Sequence, residues 1–279
     1  MSSSIFKVFY FFTKTFFHKN NIRKILPSEG FKECCILGNG PSLNLELENN
    51  ISHFANRDIF VVNSFAKSDY YQILRPSFYL LIDPVYWASN ISNDFQSDIM
   101  ILEDIIIKTT WSINMIVPYV AYKKLSFVLR KNPLVKVYFY NHTIFSYKNS
   151  LDFILYSNHL ATPLLQNVLG AGIFNAINLG YKQIELFGAD HSWLYDMCVD
   201  EENRVCWVEK HFYGTVGIRP LKKANGENYL MSEILLAYSK MFFGYQKLEK
   251  YAKKKFVNVY NYTEKSFIDS FERRSLKNR

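Results

Sequence analysis

The residues best suited to chemistry fall in four short polar turns, each closing a run of apolar residues. They are Gly38-Asn39-Gly40-Pro41-Ser42 after Cys34–Leu37, Asn63-Ser64 after Ile59–Val62, Asp83-Pro84 after Phe78–Ile82, and Gly188-Ala189-Asp190 after Ile184–Phe187. Two glycines behind a buried strand let the main chain approach an anionic ligand, and the amides of the following helix can hold a phosphate. A tight strand-to-helix turn with Ser42 as its cap would use the same residues. The turn is not a dinucleotide fingerprint, because the third spaced glycine is missing, nor a P-loop, because no Gly-Lys-Ser/Thr follows. No Gly-x-Ser-x-Gly elbow offers a serine nucleophile.

Metal chemistry has little support. The sequence holds no Asp-x-Asp pair to bridge a diphosphate through a divalent ion, and Asp196 and Asp200 are too widely spaced to replace it. Cys198 and Cys206 are expected to face each other in a hairpin as reduced thiols, without the paired Cys-x-x-Cys of a zinc ribbon. Cys34-Cys35 reads as buried strand. The expectation is a site with no metal and no resident cofactor.

The elements that must position these turns follow from the apolar pattern. Near-continuous apolar runs mark strands buried on both faces, as in a parallel sheet. Weaker candidates are 114–117, 135–139 and 256–260, and helical stretches are expected near 65–74, 97–108, 118–131, 164–179 and 229–254. Strand alternating with helix predicts an α/β fold, a Rossmann-like, doubly wound, mainly parallel sheet in which ligands sit beyond the carboxyl ends of the strands. Met197–Val208 alternates around a polar centre and reads as a β-hairpin, so 191–228 is expected to leave the sheet as an inserted lid or acceptor wall. Residues 33–279 are expected to form one nucleotide-sugar-binding domain, with Thr263 or Ser266 capping a last helix.

The chain has 279 residues, 49% of them hydrophobic and 21% charged, a mixture too apolar for disorder. Its net charge of +8 is concentrated at the two ends. Residues 1–32 hold six Lys/Arg and one acid, residues 240–279 hold eleven and four, and the body between them is mildly acidic. A nucleic-acid reader would spread its cations over the recognising face, so nucleic acid is not an expected partner. Basic ends suit an anionic membrane surface. The aromatic, Lys-bearing run Ile5–Lys19 is too short to span a bilayer and lacks a cleavage site, which points to the cytoplasm and a peripheral place on the inner membrane face. A terminal helix packed on the domain through its Phe residues would use the same sequence.

Taken in order, the pieces resemble a known group. Gly38-Asn39-Gly40-Pro41-Ser42 resembles the nucleotide loop of the bacterial sialyltransferases of glycosyltransferase family 42. It also resembles the motility-accessory and hydroxymethylpterin-diphosphokinase-like family of surface-polysaccharide clusters. Val62-Asn63-Ser64-Phe65, Ile82-Asp83-Pro84, Leu179–Asp190 and His211-Phe212-Tyr213-Gly214 resemble further segments of these families. The resemblance implies metal-independent transfer of an acidic, sialic-acid-like sugar from a CMP-linked donor to a glycan or lipid-linked acceptor in cell-surface polysaccharide synthesis. The second family implies magnesium-dependent diphosphate transfer from ATP, and a non-catalytic nucleotide- or glycan-binding module is a third reading. A homo-oligomer is compatible with any of them.

Carried over residue by residue, the resemblance implies that Gly38, Asn39, Gly40 and Ser42 hold the donor's phosphate and ribose. Asn63 would bond the nucleotide, and Gly188 and Asp190 would line its ribose and base. His211 would be the general base, with Tyr213 or Tyr195 serving the leaving phosphate. His191 would be either the rival base or a phosphate ligand. Asp83 stands where the sialyltransferases usually carry Asn, and suits a hydroxyl better than a phosphate. Their arginine before the helix leading to the Gly-x-Asp strand has no counterpart in Gln166–Gly172, so a donor carboxylate needs another partner.

Overall fold

The computed structural model describes residues 20–25, 32–89, 91–95, 99–210, 216–223 and 225–276. The N-terminal run 1–19, His211 and Tyr213 lie outside them. Eight strands form one sheet: β1 (Glu33–Leu37), β2 (Asp58–Val62), β3 (Phe78–Leu80), β4 (Ile113–Pro118), β5 (Val135–Tyr140), β6 (Gln183–Phe187), β10 (Asn258–Asn261) and β11 (Glu272–Arg273). Their order is β11-β10-β6-β1-β2-β3-β4-β5, with every neighbouring pair parallel. The chain winds outward from β1 to β5, then crosses back to lay β6 on the other side of β1. The strand order therefore reverses between β1 and β6.

The apolar runs are buried on both faces, as a helix-covered parallel sheet requires. Cys34, Ile36, Phe60, Val62, Phe78, Leu80, Ile184 and Leu186 point into one core, packed by helices α5 (Asn149–Ser157), α6 (Val168–Leu179) and α7 (Met231–Lys254). Cys35, Leu37, Ile59, Val61, Tyr79, Leu81 and Phe187 point into the other, covered by α1 (Ser42–Asn50), α2 (Tyr70–Leu74), α3 (Ile101–Lys108) and α4 (Tyr119–Leu129). Helix α6 starts where the Asn167 side chain accepts the Leu169 N–H at 2.7 Å and stops at Gly180, whose φ of 100° is left-handed.

The expected excursion leaves the main sheet after β6 as an antiparallel three-stranded layer of β7 (Met197–Val199), β8 (Val205–Lys210) and β9 (Val216–Pro220). Cys198 stands opposite Cys206 in this layer, and both are free thiols. Two expectations need correction. Helix α5 was not foreseen, and Thr263 and Ser266 cap no helix, because the chain after β10 stays irregular until it pairs as β11.

Within the basic segment expected over 1–32, residues 20–25 pack onto the sheet. Asn21 brackets the edge strand β5, its N–H donating to Phe139 O at 3.1 Å and its Oδ1 accepting the Phe139 N–H at 2.6 Å. Ile22 is 0% exposed beneath it. Among the described residues, no helix is long and apolar enough to cross a membrane. Truncating Ile22 to Ala is expected to lower stability by about 2–5 kcal/mol, the range for a buried large-to-small change. Chemical denaturation checks this, and an unchanged midpoint would remove residues 20–25 from the core.

Candidate functional site

The site begins where two main chains nearly touch. At the reversal point the Gly38 N–H donates to Phe187 O at 2.8 Å and the Gly40 N–H to Gly188 O at 3.0 Å, extending the β1–β6 ladder into the turns. A Cβ on Gly38 would lie 2.4 Å from Gly188 O, and one on Gly40 only 1.9 Å from Asp190 Oδ2. These glycines admit the neighbouring chain, and their N–H groups are already spent on it. Neither glycine N–H is left over for a ligand.

Asp190 occupies the helix end that follows. Its carboxylate is 6% exposed and sits at the start of α1, accepting the Ser42 N–H at 3.3 Å and the Ser42 hydroxyl at 2.8 Å. An anion at a helix N-terminus is favourable, and here the protein supplies it from within. Ser42 serves Asp190 and does not line the cavity. The C-terminal segment holds this turn: Thr263 Oγ1 accepts the Ala189 N–H at 2.9 Å, Ser266 Oγ donates to Ala189 O at 2.6 Å, and the Phe267 N–H donates to Asp190 O at 2.9 Å. Sequence reading offered no signal for this clamp beyond the hydroxyl residues themselves.

Beyond the strand ends opens a cavity of about 940 Å³, lined by Gly38, Asn39, Gly40, Asn63, Asp83, Gly188, Asp190 and His191 among others. Most of the expected site residues therefore meet in one place. Asn39 is fixed by its Nδ2, which donates to Val62 O at 3.2 Å and Ser64 Oγ at 3.1 Å. Asn63 holds a left-handed φ of 48°, pinned because the Tyr79 hydroxyl donates to its carbonyl. Its side-chain Oδ1 is buried with no hydrogen-bond partner among the described residues. A buried acceptor left unmade is costly, so this oxygen marks a place for a ligand donor. Asp83 caps the short helix Pro84–Tyr86 by accepting the Val85 N–H at 3.0 Å.

His191 is 4% exposed and left-handed at φ 54°. Its Nε2 lies 2.7 Å from the Tyr245 hydroxyl, which itself donates to Asn167 Oδ1 at 3.2 Å. Tyr245 thus accepts from Nε2–H, and Nδ1 keeps its lone pair. Burial pushes the His191 pKa down to about 3, so the ring offers phosphate no positive charge. Trp193 stacks on it with centroids 4.5 Å apart, and Tyr238 continues the stack 5.7 Å beyond Trp193. This aromatic wall was not anticipated.

The three-stranded layer supplies the cations. Arg204, Arg219, Lys222 and Trp207 line the same cavity as the glycine turns. Arg204 is braced by Asp200 Oδ2 at 2.7 Å from its Nε. Tyr195, by contrast, is 78% exposed with its ring against Phe267, outside the cavity lining, while its neighbour Asp196 points in. The leaving-group role expected of Tyr195 finds no support in that position. Cys35, His53 and Glu185 come close enough to share a metal ion, but they lie away from the cavity. There His53 Nε2 stands 2.6 Å from Glu185 Oε2 and Gln183 donates to the other oxygen at 2.8 Å, which satisfies a buried carboxylate.

The state of His191 is directly measurable. Protonation deferred from an ordinary value near 6.5 to about 3 means the folded ring stays neutral while the unfolded ring charges. Its stabilising contribution is present above pH 6.5 and drains away as the pH falls toward 3. Imidazole ¹⁵N NMR is expected to show the Nε2–H tautomer with no titration down to about pH 5. A ring that titrates near 6.5 would contradict the buried geometry.

No family model matches the chain, and no curated protein matches it. Among solved structures it is similar to the MAf glycosyltransferase from Magnetospirillum magneticum AMB-1, with 15% identity and a TM-score of 0.51. The likeness covers 91% of this chain and 36% of that one. What the two share is the fold: a mainly parallel, Rossmann-like α/β sheet between helices, as found in a glycosyltransferase.

Proposed function

We propose that this chain is a glycosyltransferase that moves an acidic sugar from a CMP-linked donor to a glycan or lipid-linked acceptor in cell-surface polysaccharide synthesis. The observation that carries the reading is Asn63 Oδ1 at the carboxyl end of β2, buried without a hydrogen-bond partner among the described residues, in a cavity also lined by Arg204, Arg219 and Lys222. An acceptor atom awaiting a base or ribose donor and cations suited to phosphate are the two things a nucleotide sugar requires. The likeness in fold to a glycosyltransferase agrees with this.

In this reading the nucleoside lies over Asn39, Asn63 and Gly188, where open α/β sheets bind nucleotides. Its phosphate meets Arg219 and Lys222, because Asp190 already occupies the start of α1. Arg204 takes the part of the arginine missing near 166–172 and meets the sugar's carboxylate. The acceptor hydroxyl loses its proton to a neutral imidazole, and its oxygen bonds to the anomeric carbon. The bond from that carbon to the phosphate oxygen breaks, and its electron pair leaves with CMP. The wall cations neutralise the departing charge, the role a divalent ion fills in other transferases. His211 is the base implied by resemblance, and His191, which lines the cavity, is its rival.

Asn63→Gly keeps the left-handed backbone and removes the unpaired oxygen. It is expected to weaken CMP binding by about 1–3 kcal/mol, roughly five- to 150-fold, with the melting temperature little changed. Arg219→Ala is expected to lower transfer more than it lowers cytidine affinity. Calorimetry with CMP, cytidine, and ATP with magnesium checks both variants. CMP affinity within twofold of wild type in Asn63→Gly would overturn the site. Binding confined to ATP with magnesium would overturn the reaction.

A further inference from the structure

Helix α7 ends in a feature the fold does not ask for. The Phe256 N–H donates to Lys253 O at 3.1 Å and the Val257 N–H to Ala252 O at 3.0 Å, a Schellman ending that puts residue 256 in the left-handed region. Its φ is 55°, where glycine is the usual occupant. The chain instead carries Phe there, 87% exposed. Backbone strain and a bare aromatic ring are two separate costs, and nothing in the core recovers either. Strain kept at one position is a sign of use.

The surroundings are basic. Phe256 rims a shallow hollow of about 370 Å³ whose lining includes Lys182, Lys254, Lys255, Ser157 and Asn178 and, among the described residues, no acid. The main chain of Lys32 adjoins it, since its carbonyl accepts the Lys182 N–H at 2.7 Å. Arg23 reaches the same corner, its Nη2 donating to Asn158 O at 2.6 Å. Arg23 and Lys255 both act electrostatically on the half-buried His159. Of the described acids close in sequence, Glu249 pairs with Lys253, Glu33 lies 3.2 Å from Arg57 and Glu185 lies 2.6 Å from His53. The helix dipole accounts for cations in the last turn of α7 but not for Lys182, Lys32 or the ring of Phe256.

We propose that this corner is a docking surface for an anionic phospholipid bilayer, with Phe256 inserting at the headgroup boundary and the surrounding lysines and Arg23 meeting lipid phosphates. An aromatic wedge ringed by cations is how a protein holds a charged interface without spanning it. Lys32, Lys182 and Val257 directly precede β1, β6 and β10, so the corner belongs to the amino-terminal edge of the sheet. The cavity opens at the opposite, carboxyl-terminal edge. Docked in this way, the chain turns its nucleotide site toward bulk solution. The proposal does not depend on the reaction assigned to that site.

The test uses the full chain and sedimentation with vesicles of phosphatidylcholine, alone or mixed with phosphatidylserine. Wild type is expected to bind only the mixed vesicles, and less as salt rises. Phe256→Gly relieves the backbone, so its melting temperature should hold or rise while its vesicle affinity falls about tenfold. Lys254→Glu with Lys255→Glu should lose at least as much, and Phe256→Trp should restore binding. Phe256→Gly binding as tightly as wild type would overturn the proposal and leave the interface to residues 1–19. Binding without preference for phosphatidylserine would also overturn it, as would loss of self-association in place of vesicle binding.

Discussion

The structure depends on two glycine turns lying against each other where the strand order reverses. Gly38 and Gly188 belong to connections 150 residues apart, yet a Cβ on either would strike the other's main chain. The bonds from Gly38 to Phe187 and from Gly40 to Gly188 carry the β1–β6 ladder past the last strand residues, so the turns inherit the rigidity of the sheet. The position of Asp190 follows from this contact, and the positions of α1 and the cavity floor follow from Asp190. The clamp from Thr263, Ser266 and Phe267 closes on the same turn from a third part of the chain.

That arrangement redistributes charge in the site. A free helix N-terminus beside glycines is a ready phosphate site, but here Asp190 fills it. A second anion at that point would meet a carboxylate at close range and lose more than the helix returns. Under the proposed function, an anionic group is accordingly drawn to Arg204, Arg219 and Lys222, which come from outside the main sheet. In that reading the rigid floor meets the neutral part of a nucleotide through Asn39 and Asn63, and the added layer meets the charged part. Burial keeps His191 neutral between them, so the positive charge of the cavity comes from the wall cations.

Four strands and the four turns after them were legible in the sequence because a strand buried on both faces must be apolar throughout and must end in something polar. The hairpin showed itself through alternation, and the pairing of Cys198 with Cys206 followed from its register. Helix α5 escaped notice because it is only nine residues long and begins behind Lys148, which offers no capping side chain. The last helix expected after β10 failed because Thr263 and Ser266 spend their hydroxyls on Ala189 and not on a helix end. The cation wall was illegible because Arg204 sits in the turn before β8 and Arg219 in β9, where an arginine looks like ordinary surface until the layer folds over the crevice. Tyr195 and Asp196 differ by one position in a tight helical turn, which puts one in solvent and the other in the cavity.

Helix α7 connects the two ends of this molecule. Its first turns bring Ile234, Ala237, Tyr238 and Met241 to the cavity wall, and its last residues carry Lys254 and Lys255 to the opposite edge. Twenty-four helical residues span about 36 Å, and the middle of the rod is locked by Tyr245, Leu248 and Tyr251 in the core. A contact at one end of such a rod fixes the direction the other end faces, without any conformational change. Basic charge gathered near the chain's termini and a mildly acidic body then have a structural sense. Under the proposed docking, the attraction acts at the amino-terminal edge of the sheet and leaves the cavity at the carboxyl-terminal edge open to solution.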